Sequence, residues 1–315
     1  MALLRCCDAS GCRAAGGARL QQALVHAARP GGAARVAIKP VGCLRLCGRG
    51  PLVALDRPGS APRLYGGLQP EQATVLIEQA LAPAASCDPL APWALDLTHP
   101  FFALQQPVVL ETCGWVNPTS LDDALAHGAY RQLLRCRREG RPEQLRQRIR
   151  ASGLRGRGGA AYPTGLKWDT VALQPPGPRV VVCNADEGDP GAFMDRAVLE
   201  GDPHRLIEGL AIAAAAVGAQ QGFIYVRAEY PLAIARLQLA LAQVRTRGLL
   251  QSLELQLRIG AGAYVCGEET ALLASIEGRR GTPKPRPPYP AQHGLGAVPT
   301  LINNVETLAA VPAIL

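Results

Sequence analysis

The sequence predicts an α/β protein that is built from two domains. Short apolar strands alternate with helical patterns along most of the chain, and Gly-rich turns follow several of the strands. The length of 315 residues corresponds to about two domains of roughly 150 residues each. With 48% hydrophobic and 18% charged residues, the composition excludes a disordered chain.

The first 82 residues are expected to form a small α/β domain. Residues 3–5 open a strand, and residues 18–28 carry a helical pattern. Residues 34–39 alternate as a strand does, and residues 52–55 form a strand after a Gly-Arg-Gly-Pro turn. Residues 70–81 are expected to form a helix, because Pro in the first turn is tolerated there.

A Pro-rich connector is expected between the two domains. Five prolines fall between residues 83 and 107, together with an apolar run around Phe101 and Phe102. This composition suits an extended segment that lies along a surface. We therefore expect one domain over residues 1–82, the connector over residues 83–110 and a second domain over residues 111–315.

The second domain is expected to contain a parallel, doubly wound sheet. Its predicted elements alternate between helix and strand, and they are a helical region over 120–152, a strand over 179–183, a helix over 205–218, a strand over 222–226, a helix over 231–247 and a final strand over 253–259. Such sheets bind ligands at the carboxyl ends of their strands.

The net charge of +8 is concentrated in one segment, residues 130–157, which holds ten Arg. Tyr130 is the single aromatic residue there, whereas a nucleic-acid reader interleaves basic with stacking residues, so we do not expect nucleic-acid binding. An Arg-rich solvated helix is expected instead, with an apolar stripe formed by Leu133, Leu134, Leu145 and Ile149. Docking to a partner surface stays open.

The longest uninterrupted apolar stretch, residues 210–219, has ten residues, about half of the ~20 that a membrane-spanning helix needs. No transmembrane segment is expected, and membrane association is expected only through partner subunits. The N-terminus lacks a secretory signal pattern, which predicts a cytoplasmic and reducing location. The ten cysteines are therefore expected to be ligands or buried thiols rather than disulfides.

Four cysteines form two pairs, Cys7 with Cys12 and Cys43 with Cys47, and each pair follows a predicted strand. Four thiolates from two loops suit a 2Fe-2S cluster, although a zinc site, a thioredoxin-type redox pair or unrelated thiols are alternatives. Cys6 is an alternative to Cys7 as the first ligand of this four-cysteine set. With the segment Gly-Cys-Leu-Arg-Leu-Cys-Gly-Arg-Gly-Pro over 42–51, this pattern resembles the thioredoxin-like 2Fe-2S ferredoxin domain of NADH dehydrogenases and NAD-linked hydrogenases, which implies that the four cysteines hold the cluster.

Four segments of the second domain carry a ligand-binding pattern. A Gly-rich loop spans residues 153–168 and could approach a phosphate closely. An acidic loop over 183–191 follows a predicted strand. By itself, the acidic pattern is typical of a ligand-binding loop, a solvated turn or a divalent-ion loop. A second Gly-rich turn over 260–270 enters a helix, whose N-terminus favours an anion. Residues 301–307 place two Asn side by side.

These segments resemble the family of NADH-binding flavoprotein subunits found in respiratory complex I, NAD-reducing hydrogenases and NAD-dependent formate dehydrogenases. The resemblance implies a Rossmann-like domain with FMN, NAD(H) and iron-sulfur chemistry. The FMN contacts that it implies are Gly156, Arg157, Gly158, Lys167, Asn184, Asp186, Glu187, Tyr264, Gly267, Glu268, Asn303, Asn304 and Thr307. The NADH contacts that it implies are Tyr162, Asp189, Glu269, Arg286 and Tyr289.

The same resemblance implies hydride transfer between NADH and FMN, followed by one-electron transfer to iron-sulfur clusters, with Glu187 and Glu269 as catalytic candidates. Ala161 stands where many members have Gly, so the loop is expected to be tighter there if that position needs a positive φ. Asp189 and its surroundings resemble the hydrogenase and formate dehydrogenase branch more than complex I.

Members of the family continue beyond the position of Leu315 with a ubiquitin-like domain and a helical bundle that binds a 4Fe-4S cluster. We therefore expect the chain to be a fragment, without the 4Fe-4S ligands, that works with other iron-sulfur and catalytic subunits of a multisubunit dehydrogenase. The alternatives are an NADH:quinone oxidoreductase flavoprotein subunit, a truncated cofactor-binding remnant without turnover, and a zinc-binding first domain.

Overall fold

The computed structural model of the chain describes residues 1–29, 36–83, 86–260 and 263–315. It divides into two compact units, Met1–Pro118 and Thr119–Leu315. In the described parts of the chain, no helix is long and apolar enough to cross a membrane.

The first unit is a mixed sheet with helices. Its strands are β1 (Ala2–Cys7), β2 (Val36–Val41), β3 (Leu52–Asp56), β4 (Arg63–Gly66) and β5 (Ala94–Leu95). Its helices are α1 (Ser10–Ala14), α2 (Gly17–Ala27), α3 (Ala73–Leu81) and α4 (Pro100–Ala103). The strand order is β2-β1-β3-β4-β5, in which β1 and β2 are parallel and the other pairs are antiparallel. This arrangement confirms the expected thioredoxin-like fold.

The two faces of β1 have different surroundings, because successive side chains of a strand point to opposite faces. Leu4 and Cys6 belong to the apolar core, where they join Leu24 and Leu76 from the helices. Arg5 lies on the other face, where its guanidinium pairs with Asp56. The strand therefore places Cys6 in the core and Cys7 on the opposite face.

The sequence pattern missed several short elements of this unit. The strands β4 and β5 contain four and two residues, and α1 contains five, which is too short for a clear periodicity. The strand expected over 34–39 is seen as Val36–Val41. Residues 34 and 35 lie outside the described residues.

The second unit is built around a parallel sheet. Its strands are β6 (Val180–Ala185), β7 (Gln221–Arg227), β8 (Glu254–Gly260) and β9 (Thr300–Asn304). Its helices are α5 (Leu121–Ala126), α6 (Arg131–Glu139), α7 (Pro142–Ala151), α8 (Thr164–Ala172), α9 (Met194–Gly201), α10 (Pro203–Val217), α11 (Pro231–Thr246), α12 (Glu269–Ile276) and α13 (Val305–Ile314). The expected α/β class with a parallel sheet is confirmed.

In the strand order β8-β7-β6-β9, all neighbours are parallel, but the chain adds strands first on one side of β6 and later on the other. From β6 the chain steps outward to β7 and then to β8, whereas β9 lies on the other side of β6. In open parallel sheets, ligands bind at the carboxyl ends of the two strands that flank such a reversal. The carboxyl ends of β6 and β9 are therefore where a ligand is expected.

Three elements of this unit were not predicted. The helix α8 contains Gly165, which resembles loop sequence but lies where an added Cβ would come within 2.6 Å of the Arg150 backbone. The helix α9 is short and follows the acidic loop directly. The expectation that residues 253–259 form the final strand is wrong, because β9 follows it and ends in two Asn, which strands disfavour.

The Arg-rich segment forms α6 and α7, and most of its apolar stripe is buried. Leu133, Leu145 and Ile149 are buried as expected, but Leu134 is 44% exposed and does not belong to the stripe. Arg137 donates to the Leu249 and Leu250 carbonyls, and Arg146 donates to the Ala216 carbonyl and pairs with Asp169. Several of these arginines therefore bind helix ends and acidic side chains of their own unit.

Candidate functional site

Two neighbouring strand ends define the floor of the candidate site. The residues Cys183 and Asn184 of β6 pair with Asn303 and Asn304 of β9. The Asn184 side chain donates to the Gly267 carbonyl at 2.9 Å and accepts from the Asp186 backbone at 3.1 Å. Asn184 therefore ties the acidic loop after β6 to the segment that precedes α12.

The Gly-rich loop closes on itself and touches the start of α13. The backbone N–H of Gly156 donates to the Tyr162 carbonyl at 2.9 Å, and that of Arg157 donates to Thr307 Oγ1 at 2.9 Å. A Cβ on Gly158 would lie 3.4 Å from Asn304. Ala161 has a φ of +51°, which lies in the left-handed region. Glycine, the residue that many family members have at this position, adopts that region freely. The loop thus presents backbone groups beside the N-terminus of α13.

Lys167 reaches the sheet from α8. Its Nζ donates to the Ile302 carbonyl at 2.9 Å and to Glu269 Oε1. The neighbouring Trp168 is fully buried, and its indole donates to Asn303 Oδ1 at 2.9 Å. The helix therefore fixes one ammonium group and one Asn side chain at the carboxyl end of β9.

Glu187 is held by groups that the sequence did not single out. Its two carboxylate oxygens accept from the backbone N–H groups of Asp195 and Arg196, both at 3.1 Å, which are in the first turn of α9. Tyr230 donates to the same carboxylate at 3.2 Å, and Arg227 donates to the Glu187 carbonyl. Glu187 thus anchors its own loop to a helix N-terminus, a favourable place for a carboxylate.

Two aspartates near the floor have raised pKa values. Burial raises the pKa of Asp186 to about 6. Burial, reinforced by the nearby Glu187 charge, raises the pKa of Asp195 to about 7. Asp195 is 5% exposed and accepts from Asn304 Nδ2 at 2.6 Å. Asp195 was not identified from the sequence, where a single Asp in the first turn of a helix is an ordinary feature.

The two tyrosines expected to contact NADH are both exposed. Tyr162 and Tyr289 are 52% and 53% exposed. Arg286 lies over the Tyr289 ring, 5.9 Å from its centroid, and within 3.9 Å of both Glu268 and Glu269. The structure therefore brings Arg286 and Tyr289 together with the start of α12.

Tyr264 and Asp189 connect the acidic loop to the Gly-rich turn before α12. The Tyr264 hydroxyl donates to Asp189 Oδ1 at 2.7 Å, although the Tyr264 side chain is 70% exposed. A Cβ on Gly188 would come within 2.7 Å of the Tyr264 ring, so only glycine leaves room for the ring there. Residues 261 and 262 of this turn lie outside the described residues. Glu268 caps α12 by accepting from the Thr270 and Ala271 backbone N–H groups.

The four predicted cysteine ligands adjoin one another in the first unit. A hydrogen bond with Cys12 raises the pKa of the Cys7 thiol to about 12, and a hydrogen bond with Cys7 raises the pKa of Cys43. The Cys43 and Cys47 sulfurs lie 3.9 Å apart. Cys6 instead packs in the core, and burial raises its pKa to about 12.

Glycine packs closely around these thiols. A Cβ on Gly11 would lie 3.3 Å from Cys47 Sγ, and one on Gly50 would lie 3.3 Å from Cys12 Sγ. Across the part of the chain that the structure describes, no three His, Cys, Asp or Glu side chains form a group arranged to hold a metal ion. The thiols adjoin as a set that runs from Cys12 through Cys7 and Cys43 to Cys47.

Residues 149–313, more than half of the chain, match the family model described as the Nuo51 FMN-binding domain. The chain belongs to the Nuo51 FMN-binding family. All four ligand-binding segments that meet at the ends of β6 and β9 fall within the residues matched to this Nuo51 model.

Relatives of this Nuo51 family member cover much of its length. HndC, a component of the NADP-reducing hydrogenase of Solidesulfovibrio fructosivorans, is 48% identical over 219 residues, which are 67% of this chain and 44% of the relative. The F 2 component of NADH-quinone oxidoreductase from Rhizobium meliloti (strain 1021) is 46% identical over 217 residues, 66% of this chain and 52% of the relative. The chain spans about half the length of these curated relatives.

A solved structure is similar to nearly the whole chain. The NAD+-reducing nickel-iron hydrogenase in its air-oxidized state superposes with a TM-score of 0.56 at 33% identity. The match covers 99% of this chain and 52% of the hydrogenase chain. Both units of the chain therefore have counterparts in one hydrogenase chain.

Proposed function

We propose that this chain binds FMN and NAD(H), transfers a hydride between them, and passes electrons singly to iron-sulfur clusters of a multisubunit dehydrogenase. One observation carries the proposal: the Gly-rich loop, the acidic loop and the start of α13 meet at the strand reversal between β6 and β9. The family match and the names of the relatives support the same activity. The domains that we propose are residues 1–82, the connector 83–110 and residues 111–315.

The residues at the start of α13 fit the phosphate end of FMN. A helix N-terminus and a Gly-rich backbone both favour an anion. A Cβ on Gly158 would lie 3.4 Å from Asn304, so glycine lets the loop backbone pass close to that side chain. The positive charge of Arg157 acts on Glu306, in the first turn of α13. Gly156, Arg157, Gly158, Asn304 and Thr307 would therefore hold the phosphate.

Polar groups on the neighbouring strand ends fit the flavin ring. The ring would lie near Lys167, Asn184, Asp186, Tyr264, Gly267, Glu268 and Asn303. When bound, FMN accepts two electrons as a hydride and releases them one at a time. Lys167 supplies a fixed positive charge where negative charge develops during transfer, and Glu269 orients that ammonium. Glu187 is proposed to act by holding its loop, since both of its oxygens are engaged with α9.

The mouth of the site fits a dinucleotide. Tyr162 and Tyr289 offer exposed aromatic faces for stacking, and Arg286 offers a cation for a pyrophosphate or ribose. Asp189, which accepts from the Tyr264 hydroxyl, offers a further hydrogen-bond acceptor. Holding two rings in contact raises the rate of hydride transfer by positioning alone.

The first unit fits a 2Fe-2S cluster held by Cys7, Cys12, Cys43 and Cys47. Four thiolates from two loops suit such a cluster, and the structure brings these four together, since Cys7 contacts Cys12 and Cys43, and Cys43 contacts Cys47. All ten cysteines are thiols in the described residues, which supports the cytoplasmic location that we propose. Partner iron-sulfur and catalytic subunits would receive the electrons and provide any membrane contact.

Cofactor analysis of the whole chain tests this proposal. We expect one FMN, two irons and two acid-labile sulfides per chain after anaerobic purification, together with NADH-dependent reduction of an artificial dye. Zinc without sulfide would contradict the cluster, and bound FMN without NADH turnover would favour a cofactor-binding remnant.

A further inference from the structure

A continuous set of hydrogen bonds joins the three segments that form the flavin site. Tyr230 donates to Glu187 at 3.2 Å, and Glu187 accepts from the Asp195 backbone at 3.1 Å. The Asp195 carboxylate accepts from Asn304 Nδ2 at 2.6 Å, and Asn304 Oδ1 accepts from the Thr307 backbone at 3.2 Å.

The last step reaches the Gly-rich loop. Thr307 Oγ1 accepts from the Arg157 backbone at 2.9 Å, and Thr307 is fully buried. A displacement at the middle of this set would therefore change the position of Asn304 and, through Thr307, that of the Gly-rich loop.

Asp195 lies at the middle of the set. Two donors converge on its carboxylate, Asn304 Nδ2 on one oxygen and the Glu306 backbone N–H at 3.3 Å on the other. A carboxylate satisfies both, whereas an amide offers one acceptor and one donor. An Asn at this position would place a donor against a donor in a buried environment, where an unmade hydrogen bond is costly.

We propose that Asp195 is a positioning residue for the flavin: it orients the Asn304 amide and so holds the acidic loop, the start of α13 and the Gly-rich loop together. This inference rests on the proposed function, because it concerns how the chain binds FMN. In this proposal Asp195 acts on the flavin through Asn304.

The test measures the affinity of the flavin-free, 315-residue chain for FMN by quenching of flavin fluorescence. We expect Asp195→Asn to weaken FMN binding at least tenfold, and to change the visible circular dichroism of the flavin at saturating FMN. Asp202→Asn is the matched control, because Asp202 is also a buried Asp at a helix start, where it accepts from the Arg205 backbone. Its affinity is expected to stay within threefold of the wild type.

The outcomes separate this inference from the proposed function. If the wild-type chain binds FMN and Asp195→Asn binds it equally well with an unchanged spectrum, the positioning role is wrong and the function stands. If the wild-type chain does not bind FMN, both fail. If Asp195→Asn does not fold, Tyr230→Phe tests the same set of hydrogen bonds, because it removes only the Tyr230 hydroxyl that donates to the Glu187 carboxylate. A loss of about threefold in FMN affinity supports the inference, and wild-type affinity overturns it.

Discussion

The ammonium of Lys167 on α8 is paired with the carboxylate of Glu269 at the start of α12, across 102 residues of sequence. The same ammonium donates to the Ile302 carbonyl at the end of β9. One charge therefore joins two helices to the carboxyl end of the sheet. In the proposed complex with FMN, this charge faces the flavin.

Removing the charge of Lys167 should slow hydride transfer. We expect Lys167→Gln to lower kcat/KM for NADH-dependent dye reduction by about 100-fold, the usual cost of removing one group that stabilises developing charge. Lys167→Arg retains the charge and should lose markedly less. Equal losses in the two variants would show that the position matters for packing and not for charge.

The two cysteines at the end of β1 should respond differently to truncation. Cys7→Ala is expected to lose most of the iron bound per chain, because Cys7 faces Cys12 and Cys43. Cys6→Ala is the matched control and should retain its iron, since Cys6 packs in the apolar core. Iron and sulfide analysis of both proteins checks this, and iron loss from Cys6→Ala alone would contradict the assignment.

The buried Asp195 should make the stability of the flavin-free chain depend on pH. Its pKa is raised to about 7 in the folded chain, so between about pH 4 and 7 the folded state holds a proton that the unfolded state has released. Stability is therefore expected to fall as pH rises through this window and to level off above it. The titratable groups that face Asp195 are Glu187, Glu306 and the Cys183 thiol.

Urea unfolding at pH 5 and pH 7 measures this dependence. From pH 5 to pH 7 the wild type should lose roughly 2 kcal/mol more unfolding free energy than Asp195→Asn does. An identical pH dependence in the two proteins would mean that Asp195 is ionised throughout this range.

Ala161 should be a site where glycine stabilises the chain. Its φ of +51° is costly for alanine, so Ala161→Gly is expected to raise the free energy of unfolding by about 0.5–1 kcal/mol. Ala160→Gly is the control, because Ala160 does not have a positive φ. That change should lower stability, since glycine gains freedom in the unfolded chain. Thermal unfolding of both variants checks the opposite signs.

The sequence predicted the parts of the fold that depend on local pattern. The apolar run of β6 and the helical periodicity of α10 and α11 identified the parallel sheet. The spacing of Cys7 with Cys12 and of Cys43 with Cys47 identified a set of thiols that the structure brings together.

The relationships that depend on distant contacts were not predictable in this way. Asp195 and Asn304 are 109 residues apart, and neither residue type signals the other. The family resemblance implies Glu187 as a catalytic candidate, but the local pattern did not predict α9, the helix whose N-terminus this carboxylate caps. The helix α8 and the strand β9 were not predicted, because Gly165 and the two Asn of β9 are residue types that helices and strands disfavour. Their formation depends on close packing in the folded chain.

The most direct test of the proposed hydride transfer is an anaerobic titration of the FMN-loaded, 315-residue chain with NADH, followed through the flavin absorption band. We expect NADH to bleach the flavin and the iron-sulfur absorption together, with Lys167→Gln bleaching far more slowly than the wild type. A chain that binds FMN and is bleached by dithionite, but not by NADH, would contradict hydride transfer at the ends of β6 and β9.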